Sequence, residues 1–228
     1  TVLYNMRLRL SHKDEEFVTG GRHRLCIEPV DLPEVQKIQY FSIKNQPEAF
    51  EKSEYLDFFG NRIQEMFFQD ALKELSFELV ACVERVAPKL PKISINFVEL
   101  ENAIANFPNL SSLSPHHFLG NSERISLLSI FKEFSLKFLG KENDVFELIQ
   151  EIGTRLHKEM QFDDSVTSAE TAPEAAFALR KGVCQDYSQI MIACLRSIGI
   201  PAGYVSGLLR TTPPVGKPRL EGADAMHA

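Results

Sequence analysis

Nucleophilic catalysis near neutral pH needs an ionisable side chain beside a base. The chain offers four cysteines and six histidines from which to build such a pair. Cys184 stands apart from Cys26, Cys82 and Cys194. Gly182 interrupts one helical run, and Cys184 falls in the first turn of the next, from Val183 to Ile198. A thiolate there faces unpaired backbone N–H groups and the positive end of a helix dipole, and both favour the ionised form. The same N–H groups, that of Cys184 among them, could stabilise an oxyanion once the thiolate has attacked a carbonyl. A plainer reading stays open, because free cysteines are often small buried core residues. Cys26 and Cys82, in expected strands, and Cys194, on the apolar stripe of the cysteine helix, take that plainer reading.

A base must come from the histidines. His12 and His23 sit in a β segment, His116 and His117 in a Pro/Ser/Asn-rich stretch, and His157 on a solvated helix face beside Lys158 and Glu159. His227 follows GADAM, where a strand begins. A strand behind the cysteine helix could point that imidazole at the thiol. No CxxC pair exists and the cysteines are widely scattered, which argues against a zinc site and against a disulfide framework. A metal enzyme using Cys184, His227 and a carboxylate lacks paired ligand spacing. The expectation is reduced thiols, a cytoplasmic setting and no metal or cofactor.

Two halves of different periodicity must position these residues. Val2, Tyr4, Met6, Leu8 and Leu10 alternate with polar residues, and Leu75, Phe77, Leu79, Ala81 and Val83 repeat the pattern. Shorter strands are expected at Arg24 to Ile27, Lys37 to Ile43 and Arg62 to Phe68, with a hairpin-type turn at Gly60-Asn61. The pattern predicts an antiparallel β-sandwich-like domain over residues 1–95. Prolines, serines and asparagines then accumulate, and residues 96–120 read as a linker. Residues 121–228 read as mainly helical. Ile125, Leu128, Phe131, Phe134 and Phe138 suggest one helix ending at Gly140, and Asp144 with Glu147 could cap the next. Thr171-Ala-Pro-Glu174 opens a short helix that should end near Lys181-Gly182. Tyr187, Ile190, Met191, Cys194 and Ile198 mark the cysteine helix, stopped by Gly199 and Pro201. Tyr204 and Val205 lie in an expected strand.

With 228 residues, 44% hydrophobic and 25% charged, the chain holds enough apolar material for real cores. A net charge of −6 argues against broad phosphate binding, so no nucleic-acid partner is expected. No apolar run approaches the ~18 residues of a membrane span, and the alternating, arginine-bearing TVLYNMRLRL is no secretory signal. No membrane partner is expected either.

GVCQDYSQIMIACLRSIGIPAGYVSG, followed by GADAMHA, resembles the core of bacterial transglutaminase-like proteins. These are related to papain-like cysteine peptidases and tissue transglutaminases. TSAETAPEAAFALRKG resembles the segment leading into the family's catalytic turn, and the first ~90 residues, with DFFGN at Asp57 to Asn61, resemble its β-rich N-terminal region. The resemblance implies Cys184 as nucleophile and His227 as base, with Gly182, Val183, Gln185 and Asp186 as supporting residues. It implies an α+β chain: a β-sandwich-like domain, then a papain/transglutaminase-like core of helices packed on an antiparallel sheet. The family's third catalytic residue, an Asp roughly fifteen residues past the histidine, would fall beyond Ala228, so the natural chain is expected to continue. Asp224 lies three residues before His227 and would point to the other side of a strand. Asp186 more naturally supports the helix N-terminus.

The implied activity is cysteine-dependent acyl transfer on a peptide or protein substrate, hydrolysis rather than cross-linking. The competing reading is a transglutaminase-like fold kept as a binding or scaffold module without turnover.

Overall fold

Alternating apolar residues build the first half. In the computed structural model, which describes residues 1–87, 95–140, 144–210, 216 and 225–228, β1 (Val2–Val18) pairs antiparallel with β6 (Leu72–Arg85). β3 (Gln36–Gln46) takes the other edge of β6, giving the order β1-β6-β3. The register sets Met6, Ala81 and Phe41 in one row across the sheet, and Leu8, Leu79 and Ile43 in the next. Side chains in register share a face, so these rows form one apolar patch. A second antiparallel sheet has the order β2 (Arg22–Leu25), β5 (Arg62–Phe67), β4 (Glu51–Leu56). Leu25 and Met66 of the second sheet pack with Leu10, Ile43 and Phe77 of the first, which makes the unit a sandwich.

β4 is a strand that periodicity does not predict. All six of its residues are exposed, so EKSEYL shows no apolar alternation; it is an edge strand specified by its hairpin partner. The Gly60-Asn61 turn therefore joins β4 to β5. Asp57 Oδ1 accepts from the N–H groups of Phe59 and Asn61, Asp57 Oδ2 accepts from Asn61 Nδ2, and Gly60 takes φ +83°.

The chain divides into two compact units, Thr1–Leu90 and Pro91–Ala228. The stretch expected as a linker carries α1 (Phe97–Ala105) and a 3-10 turn at Pro115–Phe118, which holds His116 and His117. α1 starts with a reciprocal capping box between Asn96 and Glu99, and Phe97 and Leu100 pack on the core of the second unit. Val145 N–H donates to Ile95 O, tying the start of α1 to the start of α3 (Val145–Glu159).

That core surrounds one helix. α2 (Ser129–Leu136), α3 and α4 (Pro173–Leu179) pack against α5 (Cys184–Ser197) through Phe131, Phe134, Leu148, Ile152, Ala176, Phe177, Ile190 and Ala193. The α2 helix is shorter than its apolar spacing suggests. Leu128 is extended, and Ile125 reaches the core from a turn closed by bonds between Ser122 and Ile125. Asp144 caps α3 by accepting from the N–H groups of Phe146 and Glu147. Two short strand pairs complete the unit among the described residues: β7 (Gln161–Phe162) parallel to β8 (Lys181–Gly182), and β9 (Gly207–Leu209) antiparallel to β10 (Ala225–His227). Tyr204 and Val205 lie before β9 rather than inside a strand, because the chain leading to them is held by loop contacts from Ala202 to Phe118 and Arg196. Among the described residues no helix is long and apolar enough to cross a membrane.

Candidate active site

The turn that presents Cys184 is built in three steps. α4 ends at Leu179, earlier than the glycine would suggest, because Arg180 caps it in the left-handed conformation with φ 54°. A left-handed arginine is unfavourable unless held. Here its guanidinium lies over the Phe177 ring, 4.0 Å from the centroid, with Nη1 3.4 Å from Glu159 Oε2. Lys181 and Gly182 then run as β8 beside β7, and Cys184 opens α5 as its first residue.

Asp186, in the first turn of α5, organises this corner. It is fully buried; its Oδ2 accepts from Val183 N–H at 2.7 Å and from the Thr167 hydroxyl at 2.8 Å. Valine has no side-chain acceptor, so only the return half of a capping box forms. Gly182 is required for it: a Cβ at that position would lie 2.4 Å from Asp186 Oδ2 and 2.8 Å from its Cβ and Cγ. Val183 N–H is engaged by Asp186, and among the described residues the first-turn N–H groups of Cys184, Gln185 and Asp186 are left as the helix's anion-facing donors. The Gln185 side chain points elsewhere, donating to Ala169 O at 3.3 Å.

Cys184 itself is half-buried, open enough to react yet flanked by structure. Tyr204 shares its surroundings. Burial first, and then the negative charge that Cys184 and Asp186 carry when ionised, hold its phenol above the usual range. Its segment is pinned from below: Ala202 N–H donates to Phe118 O, Arg196 Nε donates to Ala202 O, and a Cβ on Gly203 would come within 3.0 Å of the Phe118 ring. Across the turn, Ser165 and then Lys181 hold the Asp163 carboxyl below its usual range.

His227 is half-buried on β10, directly opposite Gly207 of β9. A Cβ at Gly207 would meet nothing within 4 Å, so the cross-strand place beside the imidazole is open. No hydrogen bond joins His227 to Cys184 among the described residues. Asp224 lies outside the described residues. His12, His23, His116, His117 and His157 lie on other elements, and no group of three or more His, Cys, Asp or Glu among the described residues is arranged to hold a metal. Cys194 is fully buried and its thiol is pushed up to about 12 by burial. Cys82 is half-buried on β6. Cys26 falls one residue past β2 and is exposed, since the strand ends at Leu25.

Sequence reasoning missed Thr167 and Tyr204 as site residues. Both come from loops without periodicity. The only signal for Thr167 was the threonine- and serine-rich run before α4.

Comparison with known proteins places the sequence and the fold among known families. Residues 132–228 match the profile of the transglutaminase-like superfamily, and residues 4–84 that of the bacterial transglutaminase-like N-terminal region. Uncharacterized proteins of Mycobacterium bovis and Mycobacterium tuberculosis are 35% identical over 97 residues, 42% of this chain and 31% of theirs. The match thus spans about a third of the length of those relatives. A crystal structure from Cytophaga hutchinsonii, named as a proposed cysteine protease, covers 88% of this chain and 67% of its own with a TM-score of 0.65 at 16% identity. At that identity it establishes the fold. The chain therefore belongs to the bacterial transglutaminase-like family, with that family's N-terminal region ahead of a transglutaminase-like core of cysteine-protease-like fold.

Proposed function

We propose that this protein is a cysteine-dependent acyl-transfer enzyme that hydrolyses amide or peptide bonds in a peptide or protein substrate. The Cys184 thiolate adds to the carbonyl carbon, and the oxyanion that forms is met by the Cys184 main-chain N–H. Protonated His227 gives its proton to the leaving nitrogen as the C–N bond breaks, which leaves a thioester. Water, losing a proton to His227, then attacks the thioester and releases the acid and the thiol. The observation that supports this reading is the place of Cys184. It is a half-buried thiol at the first residue of a helix whose preceding N–H is already engaged, so the next N–H groups are left for an anion. Water is favoured over an amine as acceptor because the solved structure with this fold is named as a proposed protease.

The test compares the full-length protein with its Cys184→Ala variant in amide hydrolysis, together with peptide-mapped alkylation by iodoacetamide. The expected result is fast labelling at Cys184 ahead of the other three cysteines, and hydrolysis lost in the variant. Unchanged hydrolysis without the thiol would refute the mechanism. Slow labelling that does not distinguish Cys184 from Cys26 and Cys82 would favour the binding module.

A further inference from the structure

One surface segment is tied to residues on both sides of Cys184. Residues 163–171 run from β7 to α4 and are mostly exposed. At the near end, Asp163 N–H donates to Gly182 O and Lys181 Nζ donates to Asp163 Oδ2. In the middle, the Thr167 hydroxyl donates to Asp186 Oδ2. Further on, Gln185 Nε2 and Arg124 Nη1 both donate to Ala169 O. Gly182, Gln185 and Asp186, which bracket the thiol, thus all contact this segment.

Asp186 is an unusual choice if its task were only to cap α5. An exposed carboxyl, or a serine at position 183, would cap the helix without burying a charge. Instead the side chain is fully buried, and its Oδ1 has no partner among the described residues, which is costly in an interior. The single oxygen that is satisfied takes one donor from the cysteine turn and one from the loop. Gly182 gives up its side chain to make room for this.

We propose that Asp186 is a positioning residue that latches residues 163–171 beside Cys184 as one wall of the substrate site. The wall is matched to an extended peptide, and its role rests on the acyl-transfer reading of the same site. Exposed Val166 and Ala169 give the wall apolar contacts, and Phe162, exposed on β7 and in register with Gly182, continues it. A small electrophile needs only the thiol. A peptide needs the wall as well.

The test uses two reagents on Cys184: iodoacetamide and a benzyloxycarbonyl-dipeptide chloromethyl ketone. Thr167→Val breaks the loop limb of the latch and leaves the Val183 limb. It should slow the peptidyl reagent about tenfold while iodoacetamide stays within about twofold, as loss of one hydrogen bond to a charged group implies. Hydrogen exchange of the amides in 163–171 should rise in parallel. Thr167→Ser should restore both readings, and Asp186→Asn, whose amide oxygen can accept the same two bonds, should keep most of the peptidyl rate. An unchanged peptidyl rate and unchanged exchange in Thr167→Val would overturn the latch. So would equal slowing with both reagents, which would place the effect on the thiol or the fold. If Cys184 of the wild-type protein reacts with neither reagent, the acyl-transfer reading fails, and the exchange measurement alone then decides whether the latch exists.

Discussion

The two ends of α5 use the same kinds of residue for opposite purposes. At its head, Cys184 is half-buried and Asp186 is buried with one oxygen unpartnered among the described residues. Toward its tail, Cys194 is fully buried and Arg196 is nearly so. The tail, however, is well satisfied. Arg196 donates to Ala202 O, to Gly120 O and to Ser122 Oγ, while Cys194 O lies 3.0 Å from the Ser135 hydroxyl and 2.7 Å from that of Ser197. A cysteine or a charge is therefore not informative by type. What separates the ends is whether polar capacity is used up within the protein, as in a structural network, or left over for something else.

The sharpest way to break this comparison is to remove each thiol. Cys184→Ala should lower acyl transfer by about a thousandfold or more while changing stability by less than about 1 kcal/mol. Kinetics and a thermal melt on the same sample would check this. A stability loss with activity retained would invert the assignment of the two ends.

Arg196→Met should do the reverse. Its acceptors, on half-buried Ala202 and on exposed Gly120 and Ser122, lose a charged donor, and unfolding in denaturant should show a loss of about 1–3 kcal/mol, with the labelling rate of Cys184 in the folded fraction unchanged.

Gly182→Ala tests how tightly the head is packed. The added Cβ collides with the buried Asp186 side chain and should cost about 1–3 kcal/mol. An alanine tolerated without loss would mean that Asp186 can move and is not the fixed centre of the turn.

The effect confined to the narrowest range of conditions is the pH dependence of Cys194, which shows only above pH 9. Its thiol value is raised from 9.0 to about 12 in the folded chain, so the unfolded chain ionises first as pH climbs. Its contribution is intact below pH 9 and is lost between 9 and about 12, by about 1.4 kcal/mol per pH unit. The stability of Cys194→Ala, measured across the same range, should fall less steeply than that of the wild type. Parallel curves would show that the thiol titrates in the folded state.

Elements with strong periodicity are legible in the residues themselves. β1, β6 and α5 stand close to where alternation or helical spacing puts them, because burial of one face is written into the residue types. Edge strand β4 and helix α1 are not legible in this way. β4 buries nothing, and α1 has no fully buried residue and depends on a capping box and on Phe97 and Leu100 finding a core supplied by α2, α3 and α5. The helix expected from Ile125 onward shows the opposite error. Apolar spacing records which residues reach the core, but not whether a helix or a turn carries them there.

For the site, the sequence by itself determined Cys184 as the candidate nucleophile, since a glycine followed by a cysteine at the head of a strongly patterned helix is a local feature. The resemblance supplied His227. Only the tertiary structure decided what surrounds the thiol: a buried Asp186 joined to Thr167, Tyr204 in its electrostatic neighbourhood, and Arg180 folded over Phe177 to turn the chain into the site. Those partners come from loops and from separate elements. Their pairing depends on how the elements pack around α5, and no sequence spacing encodes it.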